Sequence, residues 1–108
     1  MSETITKLEG VRVDLKANIY FDGKVVSHSI FEKNGDKKTL GLIYPGSYTF
    51  NTGKAELMVI TSGTCKARLA GEKDWKSYIE GDEFRIPGNS SFEISVDQGI
   101  AEYLCVFE

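Results

Sequence analysis

Histidine occurs once in these 108 residues, cysteine twice, proline twice and tryptophan once, and each scarcity removes a class of function. A transition-metal site on a β-wall takes two or three imidazoles with a carboxylate, and His28 is the single imidazole on offer. Its neighbours in alternation, Val26 and Ile30, are apolar, so a partly covered structural histidine is expected. Cys65 and Cys105 are too few for a thiolate zinc site and are not spaced as CxxC. Two buried thiols in a reducing compartment are expected instead of a disulfide. A serine or cysteine nucleophile needs a base oriented by a third group, and His28 lies in a different strand from Cys65, Cys105, Ser90 and Ser91.

Other absences narrow the field further. No run of about 18 apolar residues occurs, which excludes a transmembrane helix and gives no membrane partner. "MSETITKLEG" lacks the basic start and apolar block of a secretory signal, so the cytoplasm is the expected compartment. The formal net charge is −3 with both signs interspersed, and no basic patch marks a nucleic-acid partner. "EKNGDKK", the densest charged stretch, mixes signs around Asn34-Gly35 and reads as a solvated hairpin tip, with phosphate binding as the weaker reading. "GSYTFNTG" has two glycines but no helix pattern after it, so it is not a phosphate loop. No segment carries a sustained helical stripe with caps.

What is present is period-2 patterning and glycine. Val11, Val13, Leu15, Ala17, Ile19 and Phe21 alternate with polar residues, which predicts a half-buried strand or pair of short strands ended by Asp22-Gly23. "KVVSHSIFEK" and "KKTLGLIY" read as a hairpin about Asn34-Gly35, closed by Pro45-Gly46. "SYTFNTGKAELMVITSG" holds two strands around residues 51–55, and "TCKARL" follows with Cys65 on its apolar face. "KSYIEGDEFRIPG", "SSFEISVDQG" and "IAEYLCVFE" complete the β-rich chain, and eleven glycines suit the tight turns between strands. About eight to ten short strands at near-regular spacing predict a single all-β domain, a sandwich or barrel. The first ten residues are polar and expected to fray.

Parity selects the residues with chemistry. Tyr48 and Phe50 share one face of their strand, and Glu56, Met58 and Ile60 share one face of the next. If both faces point inward, the interior holds two aromatic rings, a thioether and one carboxylate. The four apolar side chains also fit a plain core role. Glu56 fits it badly, because an unpaired buried carboxylate costs several kcal/mol or must raise its pKa. It either pairs with a cation or lines a solvated pocket, and a small apolar cavity with one carboxylate suits a hydroxylated, aromatic small molecule.

Two stretches carry a resemblance. "ELMVITSG", from Glu56 to Gly63, resembles the end of the first cupin motif, and "GDEFRIPG" resembles the start of the second. Metal-binding cupins place a histidine just after that Pro-Gly turn, where this chain has Ser90, Ser91 and Phe92. "YFDGKV", "PGSYTFNTGKAELMVITSG", "GDEFRIPGNSSFEI" and the terminal "YLC" together resemble the small cupin-fold family of pyrimidine/purine nucleoside phosphorylases. The resemblance runs from Ile19 to Phe107 and implies a cupin-like jelly-roll barrel over 19–108, with 1–18 as an N-terminal extension, partly a β-strand. It implies phosphorolysis of purine and pyrimidine nucleosides to free base and ribose 1-phosphate, with no metal or organic cofactor, in a homodimer. On this reading Glu56 meets the ribose hydroxyls or the developing cation, Tyr48 and Phe50 stack on the base, Met58 lines the pocket and Tyr103 offers a hydroxyl. Phosphate contact is left open among Lys54, Arg85, Ser90 and Ser91, with the "PGNSS" amides as an anion nest. The competing function is a metal-free sugar or nucleoside binding module without turnover. A filled, pocketless barrel would instead point to a structural domain.

Overall fold

A computed structural model describes residues 6–108; residues 1–5, where the N-terminal extension was expected to begin, lie outside the described residues. The described residues are all-β, with eleven strands: β1 (Arg12–Val13), β2 (Asn18–Tyr20), β3 (Val25–Phe31), β4 (Lys37–Ile43), β5 (Gly46–Asn51), β6 (Glu56–Ser62), β7 (Thr64–Leu69), β8 (Lys76–Ile79), β9 (Glu83–Ile86), β10 (Ser91–Val96) and β11 (Ala101–Phe107). The expected hairpin forms between β3 and β4. At Asn34-Gly35 the Asn34 side chain accepts from the Asp36 amide at 2.9 Å, and Gly35 supplies a φ of +92°.

The strands make two antiparallel sheets, a larger one in the order β1-β3-β4-β11-β6-β9 with β2 also on β3, and a smaller one in the order β5-β10-β7-β8. Gly63 links them between β6 and β7. It has φ +78° and lies so close to Ile100 that a Cβ there would sit 2.4 Å from the carbonyl oxygen. Inward residues of both sheets, among them Ile43, Ile60, Ile86 and Ile94, form one core. Cys65 and Cys105 are both free and buried in it.

The N-terminal alternation keeps its period but not the expected burial. Arg12, Asn18 and Tyr20 pair with Phe31, Ser27 and Val25, while Val13 and Ile19 pair with Ile30 and Val26 on the opposite face. Val13 and Ile19 therefore point away from the core, with Leu15 90% and Ile19 65% exposed, whereas Phe21, the last of the apolar set, turns in against Tyr48 and Phe50. His28 shares this outer face, half-covered, with Nδ1 3.1 Å from the Asp14 carbonyl. No helix of the described residues is long and apolar enough to cross a membrane.

Candidate active site

Between the sheets lies a cavity of about 540 Å³ that opens beside β2. Cross-strand register builds its floor in rows, because paired residues project to the same side. One row is Ser29, Thr39, Cys105, Met58 and Phe84; the next is Ser27, Gly41, Tyr103 and Ile60. Gly41 is required in its row, since a Cβ there would lie 2.6 Å from the Cε1, Cζ and Oη atoms of Tyr103. The missing side chain lets the phenol lie across β4.

Glu56, at the start of β6, is the one charged residue among the cavity-lining residues described. Burial pushes its carboxyl above the ordinary range, and the hydrogen bond from Cys105 Sγ to Oε1, 3.3 Å long, pulls the other way. The thiol's own pKa rises steeply through burial and the neighbouring carboxylate, with Thr39, its cross-strand partner, pulling the other way. Cys105 is thus a neutral donor at any physiological pH. A Cys105→Val variant is expected to raise the Glu56 pKa further and to move the acid limb of the pH–rate profile to higher pH, whereas Cys105→Ser leaves the limb in place.

Tyr103 is the second polar group. Burial lifts its pKa to about 12, with Ser27, which shares its row across Gly41, pulling the other way. Asn18 Nδ2 supports Ser27 and Ser29 at 3.3 Å each. The phenol lines the cavity, where its O–H can donate.

The opposite wall is aromatic. Phe50 stacks on Phe92 at 5.6 Å and receives Phe21 edge-on at 5.4 Å and Tyr20 at 6.3 Å. Phe21 and Asp22 hold left-handed φ angles of +53° and +55°, a conformation costing non-glycine residues about 1–3 kcal/mol each. The strain is held at the mouth of the cavity, where packing against Phe50 and Tyr48 fixes the Phe21 ring.

The structure brings Glu56, Phe50, Met58 and Tyr103 to one cavity. Tyr48 faces inward as parity requires but stays behind the wall: its hydroxyl donates to the Tyr44 carbonyl at 2.7 Å, with that of Pro45 at 2.9 Å. None of Lys54, Arg85, Ser90 and Ser91 lines the cavity. Arg85 faces out and pairs with Glu108 at 3.2 Å. Two of the turn amides expected to form a nest are already used, Asn89 N on Gly53 O at 3.0 Å and Ser90 N on Thr52 Oγ1 at 2.9 Å. Buried Thr52 also donates to Pro87 O at 2.7 Å, so this Ser-rich corner is a structural clasp. Tyr20, Phe21, Ser27 and Thr39 are site residues that local sequence did not mark. Inward parity with Ile43 was the one available signal, for Thr39 alone.

Among the described residues no cluster of three or more histidine, cysteine, aspartate or glutamate side chains could hold a metal ion. The architecture is that of a cupin. A manganese-containing oxalate decarboxylase of Bacillus subtilis has the same fold, with TM-score 0.73 at 17% identity over 95% of this chain and 30% of that one. A protein of unknown function from Acinetobacter sp. ADP1 is far nearer, with TM-score 0.92 at 38% identity over 94% of this chain and 98% of that one. The pyrimidine/purine nucleoside phosphorylase family matches residues 15–107. Relatives bearing that name in Methylobacillus flagellatus and Cupriavidus taiwanensis are 53% and 52% identical over 104 residues, 96% of this chain and 100% and 98% of theirs. The chain belongs to the pyrimidine/purine nucleoside phosphorylase family.

Proposed function

We propose that the chain splits both purine and pyrimidine nucleosides with inorganic phosphate, releasing the base and ribose 1-phosphate, at the cavity that holds Glu56. One observation carries this assignment: a single carboxylate faces an aromatic wall across a cavity of nucleoside size. A phosphate oxygen bonds to the anomeric carbon as the C–N bond breaks, and that electron pair leaves on the base, which takes a proton. Positive charge grows on the ribose, and Glu56 stabilises it while accepting from a ribose hydroxyl. The Tyr103 hydroxyl donates to the sugar or the departing base. Phe50, with Phe21 and Tyr20 around it, offers a stacking surface that any base can use, which accounts for breadth without base-edge readout. Met58 fills the floor beside Glu56. One cavity for both classes predicts that adenosine and uridine are mutual competitive inhibitors, each with an inhibition constant equal to its own KM. Non-competing substrates would require a second site.

The same reading has the chain acting in the cytoplasm, which its two free buried thiols favour. It also has the chain acting as a homodimer. The outer face of the larger sheet carries Ile19, Val26 and Leu42 in paired register, with Leu40 two residues along β4 from Leu42, and its exposed apolar side chains invite a self-complementary partner. Leu40, 47% exposed between His28 and Leu104, sits in this face. Sedimentation velocity is expected to give a dimer for the wild type and a monomer for Leu40→Lys. A monomeric wild type would contradict the assembly.

A further inference from the structure

The row next to the cavity floor runs across six strands. Arg12 pairs with Phe31, Phe31 with Lys37, and Phe107 with Glu56, which pairs with Ile86. Lys38 pairs with Val106, so Lys37 lies opposite Phe107 and closes the row. The cations rest on the rings between them: Arg12 Cζ is 4.2 Å from the Phe31 centroid, and Lys37 Nζ is 5.4 Å from that of Phe107. Phe107 lines the cavity, as does Thr39, two residues along the same face of β4 from Lys37. Lys37 does not itself line the cavity, but its ammonium lies over the ring of Phe107, which does, with Glu56 two strand spacings away, about 10 Å between backbones. Lys38 is bound to Glu32 at 2.8 Å, whereas among the described residues no carboxylate pairs with Lys37. Its positive field reaches the cavity interior, where it opposes the rise in the Cys105 pKa.

We propose that Lys37, with the Thr39 hydroxyl beside it, binds the inorganic phosphate at the cavity rim, and that Arg12 strengthens the positive field one ring further out. The assignment rests on the phosphorolytic reading of the cavity. It adds the anion site that Lys54, Arg85, Ser90 and Ser91 do not supply from where they stand. The spacing suits the chemistry: Phe107 stands between Glu56 and Lys37, so a ribose at Glu56 and an anion on Lys37 would be neighbours while one ring separates the two like charges. A strand-borne lysine at a ring face is a point charge that admits phosphate in any orientation and releases the sugar phosphate product.

The test is a pair of variants, Lys37→Gln and Lys37→Arg, with Lys66→Gln as a surface-charge control, since Lys66 pairs with Asp97 at 3.4 Å on the other sheet. Lys37→Gln is expected to raise the KM for phosphate about 10- to 100-fold, the loss of one charge-assisted contact, with the KM for uridine unchanged. Lys37→Arg restores most of the loss, and Lys66→Gln behaves as wild type. An unchanged phosphate KM in Lys37→Gln overturns the assignment while leaving phosphorolysis intact. Calorimetric titration with inorganic phosphate reads the site without turnover. Binding by the wild type that Lys37→Gln loses supports the site even if no nucleoside is cleaved, in which case the phosphorolytic reading alone fails. Equal binding by both proteins, or none by the wild type, overturns it.

Discussion

Glu56→Gln is expected to lower nucleoside phosphorolysis on the order of 100- to 1,000-fold, the scale seen when one preorganised electrostatic group is removed from a water-poor site. The amide keeps the shape and can still accept from a sugar hydroxyl, so substrate binding changes little and the loss falls on turnover. Stability moves the other way. The carboxyl's folded pKa is raised by burial above its ordinary 4.5, so its stabilising contribution is complete below that value and is lost as pH rises through the raised folded pKa. At neutral pH the charged Glu56 is a burden to the fold, and glutamine relieves it. A melting temperature at pH 7 equal to or above that of wild type, with activity nearly gone, is the expected pair of results. Unimpaired turnover would make Glu56 structural.

Gly41→Ala is the second large effect, and it acts through packing. The new Cβ would fall 2.6 Å from three atoms at the end of the Tyr103 ring, which is itself buried between β4 and the cavity. The ring has to tilt into the cavity, away from Ser27 and toward Met58. Overpacking of this kind costs about 1–3 kcal/mol. In a domain of this size each kcal/mol lowers Tm by about 4–8 °C. The nucleoside KM rises because the displaced ring takes the substrate's space. Tyr103→Phe separates the two roles: it removes the hydroxyl and its donor function while keeping the ring and most of the stability. An alanine at 41 with normal KM and normal Tm would show that the Tyr103 position is not fixed by that contact.

The reach of the sequence is clear from particular residues. Strand parity placed Phe50, Glu56 and Met58 on inward faces, because period-2 alternation is local and a carboxylate amid apolar neighbours stands out. Tyr103 followed from its parity with Cys105. Tyr48 shares the right face, yet its hydroxyl is held by the turn just before it, and only the backbone path around Gly46 reveals that. The N-terminal alternation gave the strands but not which face meets the core. That phase is set by pairing with β3, and the exposed apolar set then marks an outer surface instead of a second core. Ser90 and Ser91 looked available because nothing local shows that Thr52 and Gly53 already take the turn's amides. Lys37 sat in a stretch read as a solvated hairpin tip, and the hairpin is real. Its place beside Phe107 depends on the β4–β11 register between distant parts of the chain.

Incubation of the purified chain with uridine, and separately with adenosine, with and without inorganic phosphate, tests the central claim most directly. Free base and ribose 1-phosphate are expected to appear in equal amounts, at a rate that saturates with phosphate and vanishes without it. Base release that ignores phosphate and yields free ribose, or saturable nucleoside binding with no product at all, would contradict it.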